Sequence, residues 1–211
     1  MQKIAIFGGT FDPIHWGHLL IAEAALNQVD LDQVIWVPTR FPLHKAKLTQ
    51  LEQRWAMLSL AIADHPAFRI SPLQSDRLQP DFAIQTLTDL QNLYPQSKWY
   101  WIIGLDAFQS LPQWYQHQQL ASACDWLVAP RWIFSSGEVI PESISVNFLC
   151  EQVAQKFAHQ NIVLQWQILQ MPPSGLSSSL IRDYCRDRRS IRYLVPDPVR
   201  IYITTHLLYA D

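Results

Sequence analysis

Lys3-Ile4-Ala5-Ile6-Phe7-Gly8-Gly9-Thr10-Phe11-Asp12-Pro13-Ile14-His15-Trp16-Gly17-His18 begins as an apolar run, breaks at two glycines and restarts at a pair of histidines. Lys3–Phe7 carries branched and aromatic side chains and reads as a buried strand. From His18 to Val29, Leu19, Leu20, Ala22, Leu26 and Val29 recur at helical spacing, so this stretch reads as a helix. A strand that runs into a helix start gathers unpaired amides and the positive end of the helix dipole at one point, which suits an anion. Gly8 and Gly9 can adopt positive φ and let a ligand approach the backbone closely. Thr10 adds a hydroxyl and an amide there, and Asp12-Pro13 sets a turn. His15 and His18 share a face of the first helical turn and can donate to phosphate oxygens as negative charge builds on them. On their own, two histidines near a helix start serve more often as caps or as solvated surface. A zinc pair is the weaker reading, because no third ligand stands at useful spacing. Neither G-x-G-x-x-G nor G-K-[ST] is present, so the stretch is not a dinucleotide fingerprint or a P-loop.

The same alternation continues outward. Gln33–Val37, Phe68–Ser71, Trp99–Ile103, Trp126–Ala129 and Val163–Leu169 read as strands. Thr49-Gln50-Leu51-Glu52 has the form of a capping box opening a helix that runs to about Asp64. Phe82–Tyr94, Asn147–His159, Ser178–Arg188 and Asp197–Tyr209 read as further helices. Strands that are apolar almost throughout, alternating with helices, predict a mostly parallel sheet covered on both faces. The expected fold is therefore an α/β doubly wound, Rossmann-like sheet, whose ligands bind at the carboxyl ends of the strands. We expect one domain over residues 1–211, with 177–211 a small C-terminal helical segment.

Composition narrows the function. The chain has 211 residues, 49% of them hydrophobic and 16% charged, enough to bury a core. A net charge of −2 argues against an electrostatic hold on nucleic acid. No apolar stretch approaches the roughly 20 residues that span a bilayer, and the strand-like start is no signal peptide, so a cytoplasmic protein is expected. Cys124, Cys150 and Cys185 are widely spaced and odd in number, which fits apolar fillers better than a disulfide framework. Most of the nine tryptophans should fill the core or line a pocket.

The long motif Gly8–His18 resembles the signature of the nucleotidyltransferase superfamily with the H-x-G-H motif, and within it the bacterial nicotinate-nucleotide adenylyltransferases. The resemblance implies transfer of AMP from ATP to nicotinic acid mononucleotide, giving deamido-NAD and pyrophosphate. It places Gly8, Gly9, Thr10, Phe11, His15, Gly17 and His18 on ATP, with Thr10 also near the mononucleotide. Further matches follow at other strand exits. His44 and Lys45, in a proline-bounded loop that otherwise reads as solvated, would lie near the mononucleotide phosphate, although Leu43 replaces a usual proline. Thr86 would sit near the nicotinate ring, or else is a helix-interior residue; Phe82 and Ala83 depart from the usual Tyr and Thr. Gly104 and Asp106 would meet the ATP ribose, although Asp106 could equally be a helix N-cap. Trp114 and Tyr115 would frame the nicotinate ring, and core packing is the ordinary alternative for Trp114. Arg131 would grip the mononucleotide phosphate with its planar guanidinium, unless it forms a surface ion pair.

The last motif, Gly175-Leu176-Ser177-Ser178-Ser179-Leu180-Ile181-Arg182, opens a helix with three serines that offer caps and amides. Arg182 follows Ser178 by one turn. The segment is similar to the family element that holds the β- and γ-phosphates of ATP, with Ser179 in place of a threonine. The arginines at 186, 188, 189 and 192 read instead as a solvated helix C-terminus. The expected catalytic set is His18 on the α-phosphate, His15 on ATP phosphates, and Arg182 with Ser178 on leaving pyrophosphate. Mg²⁺ would bind mainly through ATP phosphates, without protein ligands of its own. Nicotinamide mononucleotide or another phosphorylated acceptor is the alternative within this chemistry, and a nucleotide sensor the alternative outside it. A homo-oligomer is compatible with this reading and is not required by it.

Overall fold

The computed structural model describes residues 1–40, 48–73, 82–130 and 142–210, with 142–145 given as backbone. Six strands form one parallel sheet: β1 (Lys3–Gly9), β2 (Gln33–Pro38), β3 (Phe68–Ile70), β4 (Lys98–Gly104), β5 (Asp125–Ala129) and β6 (Trp166–Ile168). Their spatial order is β3-β2-β1-β4-β5-β6. The chain thus builds outward from β1 in one direction, then crosses back to place β4 on the other flank of β1. At this reversal the connections that leave β1 and β4 turn to opposite faces of the sheet, which is where doubly wound sheets open a ligand crevice.

The helices are α1 (Trp16–Gln28), α2 (Leu51–Ile62), α3 (Ala83–Leu93), α4 (Leu105–Ser110), α5 (His117–Ala123), α6 (Glu142–Ala158), α7 (Ser178–Arg186) and α8 (Asp197–Thr205). A 3₁₀ turn (Leu111–Gln113) joins α4 to the approach of α5. Alternate strand residues point to opposite faces. Ala5, Phe7, Val34, Trp36, Tyr100, Ile102 and Leu127 face the core beneath α1, α2, α7 and α8. Ile4, Ile6, Ile35, Trp99, Trp101, Ile103, Trp126 and Val128 face the core beneath α3–α6. The doubly wound sheet expected from the sequence is therefore the fold observed. Trp36, Trp99, Trp101 and Trp126 are buried in it, whereas Trp16 is 47% exposed at the start of α1. Cys124 and Cys150 are buried and Cys185 half-buried, all as free thiols. Burial pushes the Cys150 thiol up to about 11 and the Cys124 thiol higher still, so neither is a nucleophile near neutral pH.

Three local expectations need correction. The Thr49 capping box does not form: α2 begins after Gln50 with no side-chain cap. Thr49 is held elsewhere, its amide donating to Asp12 Oδ2 at 3.3 Å and its hydroxyl bonding Tyr209. Positive φ falls on Phe11 (48°), not on Gly8 or Gly9, which are strand residues. Finally, α8 stops at Thr205, and the chain turns back through Leu207 (φ 52°) and Tyr209 (φ 62°). α4 and α5 are short and lack an extended apolar stripe, so the sequence carries no periodic signal for them.

Candidate active site

β1 ends at Gly9, and α1 begins seven residues later at Trp16 with His15 as its N-cap. Helix formation two residues earlier than expected puts His15 and His18 at the N-cap and third helical position. The rings stack, with centroids 3.7 Å apart and planes 26° apart. The His15 amide donates to His18 Nδ1 at 3.3 Å. That contact makes Nδ1 the acceptor and assigns the ring proton to Nε2, so His18 carries a donor on its far edge. Phe11 backs the His18 ring edge-on at 5.1 Å and is itself buried. Gly9 is needed for this packing, because a Cβ there would stand 2.9 Å from the Phe11 ring.

His15 is 4% exposed. Its Nδ1 has no hydrogen-bond partner among the described residues and would stand 3.0 Å from a Cβ placed at Gly17. Nδ1 therefore packs against Gly17, leaving Nε2 as the atom that could meet a ligand. Burial pushes the imidazole from 6.5 down to about 4, so it is neutral at physiological pH. This carries a stability consequence. Between pH 6.5 and about 4 the unfolded chain takes up a proton that the folded chain refuses, so stability falls as the pH drops. At roughly 1.4 kcal/mol per unit, the loss from pH 7 to pH 4.5 is about 2–3 kcal/mol. Urea unfolding at the two pH values should show a pH-dependent loss smaller by that amount in His15→Gln. Equal losses in both proteins would contradict the assignment.

The Gly175–Arg182 segment closes on the same loop. Ser177 caps α7, accepting from the Leu180 amide at 3.2 Å. Ser178 Oγ donates to the Pro13 carbonyl at 2.9 Å, and Arg182 Nη1 to the Asp12 carbonyl at 2.7 Å. Arg182 Nη2 donates to Ser179 Oγ at 3.1 Å. A Cβ at Gly17 would lie 3.4 Å from Leu176 Cβ, so the approach to α7 packs on the start of α1. Residues 165 or more positions apart therefore meet, and two helix N-termini border one loop.

Across the crevice, β4 ends at Gly104, the N-cap of α4, with Asp106 in the first helical turn. A Cβ added at Gly104 would meet nothing within 4 Å, so open space lies directly above the strand end. A Cβ added at Gly8 would stand 3.8 Å from the Trp101 ring, and Trp101 meets Trp114 edge-on at 6.4 Å. Trp114 is steadied by its Nε1 donating to Ser110 Oγ at 3.1 Å. Next to it, Tyr115 is 52% exposed and packs on Phe82 at 4.4 Å between ring centroids. Phe82 caps α3, one turn before Thr86. Trp114 thus lies against Trp101 of β4, Tyr115 against the residue that opens α3, and Thr86 one turn into that helix. His44, Lys45 and Arg131 lie outside the described residues, as does Leu43.

Sequence reasoning missed three participants: Asp12 as a side chain, Arg54 and Tyr209. Arg54 is 1% exposed, donating from Nη1 to the carbonyls of Thr10 and Thr39 at 2.8 Å and from Nε to that of Thr49 at 2.9 Å. The signal for it was available, since Arg54 occupies the same helical stripe as Met57, Leu58 and Ile62, where an apolar residue belongs. Asp12 and Tyr209 carried no comparable signal, because their pairing joins the two ends of the chain.

Residues 6–184 match the cytidylyltransferase-like family. A protein of Trichormus variabilis named "Probable nicotinate-nucleotide adenylyltransferase" is 53% identical over all of this chain and 99% of its own length. One of the same name from Geobacillus thermodenitrificans is 35% identical, over 99% of this chain and 87% of its own. The structure of Plasmodium falciparum nicotinic acid mononucleotide adenylyltransferase complexed with NaAD superposes with a TM-score of 0.74, covering 99% of this chain and 98% of that one. At 20% identity, that likeness speaks to the fold.

Proposed function

Since the chain belongs to the cytidylyltransferase-like family and within it to the nicotinate-nucleotide adenylyltransferases, we propose that it joins nicotinic acid mononucleotide to AMP from ATP. The products are deamido-NAD and pyrophosphate. The observation that carries this reading is the closure of Ser178 and Arg182 on the Asp12-Pro13 turn that leads into His15 and His18. Two cationic or donor-bearing motifs on one loop suit a triphosphate.

The mononucleotide phosphate is already an anion at neutral pH, so the reaction needs no general base. One of its oxygens attacks the α-phosphorus of ATP in line. The bond from that phosphorus to the α–β bridging oxygen breaks, and pyrophosphate leaves with the bonding electrons. The chain positions both substrates and stabilises charge. His18 donates from Nε2 to an α-phosphate oxygen, and His15 donates to the triphosphate as a neutral imidazole. Arg182 and the amides opening α7 receive the leaving pyrophosphate. On the other side, Gly104 and Asp106 hold the ATP ribose, while Thr86, Trp114 and Tyr115 hold the nicotinate ring. Thr10, His44, Lys45 and Arg131 complete the mononucleotide site.

Mg²⁺, carried on the phosphates of ATP, would neutralise charge between them. Among the described residues no three His, Cys, Asp or Glu side chains gather as a cage. Asp12, the carboxylate of the phosphate loop, is engaged by Tyr209 and Thr49. This donor set fits an ion held by phosphate and water. The same reading takes residues 1–211 as one catalytic domain, with 177–211 bringing the second phosphate motif, working in the cytoplasm. Among the described residues, no helix is long and apolar enough to cross a membrane.

Pyrophosphate release with ATP and a panel of acceptors tests the reading. Nicotinic acid mononucleotide should give the highest kcat/KM, above nicotinamide mononucleotide and phosphopantetheine. Preference for either of the others would overturn the acceptor, and no release with any would overturn the activity. Gly104→Ala tests the ribose site. Gly104 has ordinary φ (−73°) and open space above it, so stability should change by no more than about 0.5 kcal/mol. KM for ATP should rise about tenfold or more, the usual effect of one carbon in a fitted site. An unchanged KM would show that ATP does not occupy that space.

A further inference from the structure

A carboxylate buried in an anion-binding loop calls for an explanation, because its charge opposes the ligand. Asp12 is 1% exposed. Its Oδ1 accepts from the Tyr209 hydroxyl at 2.6 Å, and its Oδ2 from the Thr49 amide at 3.3 Å. Tyr209 also takes a hydrogen bond from the Thr49 side chain. The buried Arg54 guanidinium offsets the Asp12 charge and ties together the carbonyls of Thr10, Thr39 and Thr49. Burial and the Asp12 charge both push the Tyr209 phenol upward, keeping it a proton donor.

The loop is therefore pinned at successive points. The carbonyls of Thr10, Asp12 and Pro13 accept from Arg54, Arg182 and Ser178 respectively. The Asp12 side chain adds the only anchor here that reaches the last residues of the described chain. The Asp12 carboxylate, Tyr209 and Arg54 bind no substrate in the mechanism above; Arg54 holds the loop backbone directly, and Tyr209 reaches it through the Asp12 side chain.

We propose that Tyr209 and Asp12 are positioning residues, the hydroxyl–carboxylate bond holding the Asp12-Pro13 turn where Arg182 and the His15–His18 pair face one triphosphate. The inference rests on the adenylyltransferase reading. Without the hydroxyl, Oδ1 loses its partner in a site with almost no solvent, and the turn relaxes to find another. A shift of about 1 Å in a reacting group can cost on the order of 10²-fold in rate. Because the bond acts through geometry in the transition state, the loss falls on kcat more than on KM for the mononucleotide.

Tyr209→Phe keeps the ring and removes the hydroxyl. Steady-state kinetics well below the melting temperature, normalised to folded protein, should show kcat down roughly tenfold. KM for nicotinic acid mononucleotide should stay within about twofold of the wild type. Asp12→Asn should lower kcat similarly, and the double variant should be no worse than the poorer single one. Turnover equal to wild type in Y209F, a loss confined to KM, or losses that multiply in the double variant would overturn the proposal. If Y209F does not fold, D12N carries the test by the same criteria. The wild type run in parallel separates the two readings: no pyrophosphate release from it fails the activity, whereas an active wild type beside an equally active Y209F fails only the tether.

Discussion

Replacing His18 with alanine is expected to lower kcat by about 10²–10³-fold, with little change in stability. The size follows from removing one preorganised donor aimed at developing charge, which costs roughly 3–4 kcal/mol elsewhere. His18 suits this role because its neighbours specify it. The His15 amide takes Nδ1, so the proton sits on Nε2, and the rings of Phe11 and His15 hold the imidazole in place. The alanine side chain leaves these neighbours without a clash, and His18 itself is only partly buried. Single-turnover rates with saturating ATP separate chemistry from binding. Near wild-type turnover in a folded H18A protein would remove His18 from the mechanism.

The second large effect is expected at Arg182. Its guanidinium spends Nη1 on the Asp12 carbonyl and Nη2 on Ser179 Oγ. Five donors in a planar fork leave capacity for a phosphate while these bonds persist. Arg182→Ala removes both the charge for pyrophosphate and a bond holding the loop. We expect kcat/KM for ATP to fall by about 10²-fold or more, since hydrogen bonds to charged groups contribute about 1.5–3 kcal/mol each. Arg182→Lys should recover little, because one ammonium cannot span the Asp12 carbonyl, Ser179 and a phosphate together. Steady-state kinetics with ATP varied would show this, and an R182K enzyme close to wild type would indicate that only the charge matters.

Much of this was legible in the sequence, for reasons that differ by residue. After their first residues, Lys3, Lys98 and Asp125, β1, β4 and β5 carry no polar side chain that breaks the run except Tyr100, because both their faces are covered, and that pattern points to a parallel sheet. His15 and His18 could be placed together because their spacing is local to one helix turn, and Ser177 could be read as a cap for the same reason. What could not be read depends on partners far along the chain. Thr49 has the form of a helix cap, yet Asp12 and Tyr209 claim it, so tertiary bonds override the local signal. Gly8 and Gly9 suggested positive φ, whereas Phe11 carries it and Gly9 makes room for its ring. Tyr209 reads as the end of an amphipathic helix, but the chain leaves α8 at Thr205 and swings the phenol onto Asp12. On the acceptor side the reading of Thr10, His44, Lys45, Thr86, Trp114, Tyr115 and Arg131 came from resemblance and not from spacing, and the structure adds that Phe82 and Tyr115 touch.

The account stands on one triphosphate spanning the starts of α1 and α7. A crystal structure of the chain with a non-hydrolysable ATP analogue and Mg²⁺ tests this most directly. The α-phosphate should lie within hydrogen-bond distance of His18 Nε2, with the outer phosphates at Arg182 and the first amides of α7. A triphosphate bound away from the Asp12-Pro13 turn, or reaching only one of the two helix starts, would contradict it.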